Sequence, residues 1–177
     1  MDEPIEGPTP DAPTPDAPTP LAERLDPRVV PYWLVSGLAG FVVLVAIVLG
    51  ALWYFAERLP IAPRTTWTLA GVLLGAQGLW TLLSPPLAHR VWRFRIDDRL
   101  LVARYGIIIR QEKVIPTNRL QHVDLVRGPI ERLFGLATLI VHTAGTEAVA
   151  FRLPGLAASR ATELRDHILR ARGADVV

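Results

Sequence analysis

Residues 32–55 read YWLVSGLAGFVVLVAIVLGALWYF, a run of 24 residues without a charge. As an α-helix it would be about 36 Å long, enough to cross a hydrocarbon core of about 30 Å with some tilt. Inside lipid the backbone must satisfy its own hydrogen bonds, so an apolar run of this length has to be helical. Tyr32 and Trp33 at one end, and Trp53, Tyr54 and Phe55 at the other, suit the two membrane interfaces. Pro27 and Pro31 mark the entry to the helix. Its length and flanks argue against a buried helix of a soluble protein.

A second uncharged stretch covers residues 65–88. Its helical part is predicted over 67–83, with Trp67 and Trp80 near its ends and Pro85 and Pro86 stopping it. The anchor is therefore a two-helix hairpin over residues 28–88. Gly71 and Gly75, with Ser36–Gly40 and Ala46–Gly50 on the first helix, supply the small residues that let helices pack closely in lipid. Packing within the hairpin is preferred over dimerisation, and Gln77 is expected to hydrogen-bond across it. The outer flanks carry Arg24, Arg28, Arg90, Arg93 and Arg95, against Arg58 and Arg64 in the loop. The positive-inside rule then puts both termini in the cytoplasm.

Charge is unevenly spread. Residues 1–26 hold seven acids against Arg24 alone, whereas residues 90–177 hold fifteen Lys or Arg against nine acids. Residues 8–20 read PTPDAPTPDAPTP, and residues 1–27 are expected to be an extended, disordered acidic tail. A solvated spacer is the preferred reading, with a ligand for a proline-binding module as the alternative. The tail lacks a basic n-region, so the first apolar helix is expected to be retained.

From residue 90 the apolar pattern has period two, which predicts strands over 91–96, 100–105, 107–115, 120–127, 138–143 and 148–153. Trp92, Phe94 and Ile96 share one face of the first. Asp97-Asp98 and Ala144-Gly145 read as turns, residues 130–134 as one short helical turn, and Pro154-Gly155 as the end of the sheet. Residues 157–171 form a helix with an Ala161, Leu164, Ile168 stripe, and Gly173 stops it. The fold class is a two-helix transmembrane hairpin followed, over residues 89–173, by an α+β domain: an antiparallel sheet or partial barrel capped by a C-terminal helix.

Enzyme chemistry has little to stand on. The chain has no cysteine, and Ser36, Ser84 and Ser159 lie in no nucleophile-elbow sequence. No phosphate loop or zinc motif is present, and no cofactor is expected. His122 and His142 are placed to face each other on neighbouring strands with Asp124 beside His122, but no third ligand is fixed by spacing. An ordinary polar sheet face is the preferred reading over a metal site. Arg90, Arg93 and Arg95 follow the second helix directly, so they lie near the cytoplasmic leaflet, where each gains on the order of 1 kcal/mol from anionic lipid. Nucleic acid is an unsuitable partner, because Trp92 and Phe94 alternate inward rather than interleaving with the basic residues.

Residues 115–145 read IPTNRLQHVDLVRGPIERLFGLATLIVHTAG. With Gln121-His122, Gly128-Pro129, Glu131-Arg132 and Gly135-Leu136, this stretch resembles the bacterial pleckstrin-homology-like (PH-like) domains of the second type, as in YdbS-like membrane proteins. Gly106-Ile107-Ile108 and the two preceding apolar helices fit the same layout, so the resemblance covers roughly residues 35–170. It implies a bent antiparallel sheet capped by a helix, and marks Gln121, His122, Gly128, Pro129, Arg132 and Gly135 as family-motif residues. It links such proteins to envelope stress and to larger membrane proteins carrying further copies of the domain. The expectation is a non-enzymatic binding module that docks a membrane-protein partner at the inner face. Recognition of anionic lipid headgroups by the basic juxtamembrane face is the alternative.

Overall fold

The computed structural model describes residues 23–55, 63–97, 99–143 and 150–174 of the chain. The proline-rich repeat, the loop between the two apolar helices and the Ala144-Gly145 turn lie outside the described residues, as does Asp98.

Two long helices come first, α1 (Val29–Phe55) and α2 (Pro63–Val91). The most apolar stretch of α1 is 0% buried and that of α2 is 6% buried. Val42, Ile47, Val72 and Leu73 are 63–69% exposed. A core helix of a soluble protein would bury these side chains, so the solvent they suit is hydrocarbon. Pro31 falls in the first turn of α1, where a missing N–H costs nothing.

The sequence places a stop at Pro85 and Pro86, but α2 runs through both to Val91. Each interior proline removes a backbone hydrogen bond, at a cost of about 3 kcal/mol. Tertiary contacts beyond the pair offset this. Pro85 is buried and His89 Nε2 lies 3.0 Å from the Leu25 carbonyl, while the helical pattern resumes beyond the pair, Trp92 N–H donating to the Ala88 carbonyl at 2.9 Å.

The helices pack through glycines other than those expected. A Cβ at Gly37 would lie 3.0 Å from Thr81 Cγ2, and one at Gly78 would lie 3.1 Å from Phe41 Cζ. A Cβ at Gly40, Gly50, Gly71 or Gly75 would meet nothing within 4 Å. The Gly71–Gly75 face therefore points away from α1.

Two three-stranded antiparallel sheets follow. One has the order β1 (Arg93–Ile96), β2 (Leu100–Tyr105), β3 (Gln111–Pro116). The other has the order β4 (Leu120–Val126), β5 (Leu136–Thr143), β6 (Ala150–Ala157). A 3-10 turn (Thr117–Arg119) joins β3 to β4, and the short α3 (Pro129–Leu133) joins β4 to β5. The last helix, α4 (Ala158–Ala174), covers the core with Ala161, Leu164 and Ile168, all at most 3% exposed. The resemblance implies a bent antiparallel sheet capped by a helix; the strands are antiparallel and helix-capped, divided into two sheets. α4 continues past Gly173.

Two strand boundaries differ most from the sequence pattern. Residues 107–109 belong to a turn, and β3 starts only at Gln111, opposite Tyr105. Gly106, at φ +103°, folds the chain so tightly that a Cβ there would overlap the Ile109 carbonyl oxygen. The three isoleucines thus have strand propensity but no strand to pair with. At the other boundary, β6 continues through Pro154-Gly155 to Ala157. The register shifts between Ala137 and Leu139, so the Pro-Gly pair is absorbed as a bulge with Gly155 at φ +66°.

Candidate functional site

The hairpin and the domain share one core. The chain assigned to the tail at residues 23–27 is instead built into the domain: Glu23 and Phe94 exchange backbone hydrogen bonds at 3.1 and 3.0 Å. Leu25 and Val29 are 2% and 0% exposed within the same cluster as Phe94, Leu136 and Leu156. Asp26 N–H donates to the Gly155 carbonyl at 2.9 Å. A Cβ at Gly155 would overlap Val29 Cγ2, so the first turn of α1 sits directly on the β6 bulge. No flexible linker separates the membrane helix from the domain.

Two cavities meet at this foot. A cleft of about 480 Å³ lies between the helices, lined by Trp33, Phe41, Leu44, Gln77, Ser84 and Trp92, with Ile107 of the turn at its wall. A second, of about 380 Å³, lies against the domain and includes Tyr32, Glu131, Thr138 and Arg152. Trp33 and Trp92 line both. Gln77 faces the first cleft rather than bridging the helices, and its backbone carbonyl accepts a hydrogen bond from Thr81 Oγ1 at 2.9 Å. The walls are mainly apolar, with few polar groups.

The three juxtamembrane arginines have different surroundings. Arg90 is exposed in the last turn of α2. Arg93 Nη1 donates to the carbonyls of Arg90 and Trp92, both at 2.8 Å. Arg95 lies against Asp97, Nε to Oδ2 2.6 Å, with its side chain 17% exposed. Two of the three cations are thus engaged with acceptors of their own chain.

The motif residues gather around α3. Gly128 precedes it and donates its N–H to Glu131 Oε2 at 2.7 Å, and Pro129 occupies the first turn. The other carboxylate oxygen of Glu131 accepts from Thr138 Oγ1 on β5 at 2.6 Å. Glu131 is only 6% exposed, and those two bonds account for its burial. Gly135, at φ +67°, makes the turn into β5 beside Arg28. Arg132 points outward. Gln121 sits where the β4–β5 register shifts. Most of the motif therefore builds the α3 corner. Glu131 was legible in the motif as a residue type, but its partner Thr138 is reached only through the fold.

His122 and His142 do pair across β4 and β5. The Asp124 carboxylate lies between them, 3.0 Å from His122 Nε2 and 3.2 Å from His142 Nε2. Among the described residues no group of three such side chains is placed to hold a metal ion.

A family model described as a bacterial PH domain matches residues 27–172. The chain belongs to this family. The match begins before α1 and ends within α4, so hairpin and PH-like domain are matched together. The chain is also 31% identical over 102 residues to the UPF0699 transmembrane protein YdbS of Bacillus subtilis (strain 168), covering 58% of this chain and 62% of that protein. No solved structure matches. Family, relative and the two lipid-suited helices agree on a transmembrane hairpin carrying a bacterial PH domain.

Proposed function

We propose that this chain is a non-enzymatic binding module that holds its PH-like domain against the cytoplasmic face of the plasma membrane and docks a protein partner there. The observation that carries this reading is the shared core. With Leu25 and Val29 packed under β6, the domain is fixed to the hairpin rather than tethered. A domain so fixed meets other membrane proteins in one orientation and at raised effective concentration. β3 is an edge strand among the described residues, with Val114 55% exposed, and offers its backbone for strand addition. A larger membrane protein with further PH-like domains is the partner class the family resemblance suggests, and envelope stress is the setting it suggests. The excess of arginine at the foot supports a cytoplasmic position for both termini.

The intrachain bonds of Arg93 and Arg95 make a headgroup pocket built on Arg90, Arg93 and Arg95 the weaker reading. The test is crosslinking in native membranes followed by enrichment of the full chain. One recurrent protein partner, retained when the three arginines become glutamine, is the expected result. No recurrent protein, with selective co-purification of one anionic lipid lost in that variant, would instead establish headgroup recognition.

A further inference from the structure

We infer that the PH-like domain presses two apolar tips into the bilayer surface from which the hairpin emerges. One is the turn over residues 106–110, through Ile108 and Ile109, and the other is α3, through Leu133. The inference needs the hairpin in the bilayer and is independent of the protein partner.

Exposure singles these residues out. Ile108, Ile109 and Leu133 are 80%, 73% and 84% exposed. Among the described residues, every other large apolar side chain exposed to 62% or more lies on α1 or α2. These three side chains thus share the exposure of lipid-facing positions, whereas Val114 and Leu169 on the domain are 55% and 49% exposed.

Topology brings both tips to the membrane end. β1 leaves α2 directly, and β2 returns antiparallel to it with Arg104 opposite Arg93. The turn after Tyr105 therefore emerges at the foot of α2. Trp92 stacks on Tyr105 there, with ring centroids 4.8 Å apart, and Ile107 lines the cleft between the helices. Gly106 keeps the turn tight, so Ile108 and Ile109 project from it. On the α1 side, Phe134 meets Tyr32 edge-on at 6.4 Å, and Gly135 lies beside Arg28. Leu133 is the residue just before that contact.

Charge fits the same surface. Arg110 and Arg132 are exposed next to the two tips. Arginine beside an apolar tip can lay its stem along lipid and hold its guanidinium among phosphates. Backbone outside a helix is not tolerated in the hydrocarbon itself, so the tips end at the headgroup–acyl boundary. With one tip beside each helix, the domain cannot roll about the hairpin axis.

The chain has no cysteine, so single cysteines at positions 108, 109 and 133 can carry a nitroxide in the full-length protein. The protein is reconstituted alone into phosphatidylethanolamine–phosphatidylglycerol vesicles. Collisional access to oxygen and to a water-soluble nickel chelate is then compared. Labels at Val72, Val114 and Leu169 serve as references. The oxygen-to-nickel ratio at 108, 109 and 133 is expected several-fold above that at 114 and 169, approaching that at 72. Ratios equal to those at 114 and 169 would overturn the inference. So would tips that are open in vesicles and shielded only in native membranes, because their occupant would then be a protein.

Discussion

At the residue scale, the α3 corner depends on one buried carboxylate. Replacing Glu131 with alanine leaves the Gly128 N–H and the Thr138 hydroxyl without their acceptor. We expect a loss of about 1–3 kcal/mol, read as a lower denaturation midpoint of the full chain in micelles. Glu131→Gln keeps one acceptor oxygen and should lose less. Gly155→Ala meets two penalties, a left-handed backbone costing about 1–2 kcal/mol and overpacking against Val29 costing about 1–3 kcal/mol. The same measurement should show it among the most damaging single-methyl additions. Arg160 makes the opposite case. Hydrogen bonding to Glu23, then to Glu163, holds its guanidinium above its ordinary pKa. The pair is exposed, however, so Arg160→Ala should cost less than about 1 kcal/mol. Gly128, Pro129 and Gly135, three of the motif positions, lie at the α3 corner. The reason for Gly155 was out of reach, since Val29 lies far from it along the chain.

At the element scale, the hairpin offers a direct contrast. Leucine at Gly37 or Gly78 must displace Thr81 or Phe41, whereas leucine at Gly71 or Gly75 enters open space. The first two variants should lower the thermal stability of the protein in micelles, and the second two should leave it near the wild-type value. Equal effects at all four would show that the Gly71–Gly75 face packs after all. The existence and type of nearly every element could be read from the sequence. The apolar runs gave both membrane helices, period two gave the strands, and Ala161, Leu164 and Ile168 gave α4. The misplaced boundaries have one cause. Prolines and glycines at Pro85-Pro86, Gly106 and Pro154-Gly155 were read from local conformational rules, but what each does depends on tertiary partners. Pro85-Pro86 is carried by contacts beyond it, Gly106 closes a turn because β2 faces Gln111, and Pro154-Gly155 is absorbed opposite β5.

At the scale of the whole molecule, the shared core makes anchor and domain a single unit. Deleting the hairpin also removes Val29 from beneath Gly155, so the domain alone should be less stable than the full chain. The arginine bias predicts cytoplasmic termini, so protease added to inside-out vesicles should cleave the C-terminus. The proposed partner docking follows the family pattern, and no single residue in the sequence shows a surface fixed by Leu25 and Val29. The most direct test of that docking is a photoreactive amino acid at Val114 of the full chain in native membranes, with Ile109 as the membrane-facing control. The account predicts one discrete protein adduct from Val114 and none from Ile109. No protein adduct from Val114 or from any other exposed position of the domain would contradict it.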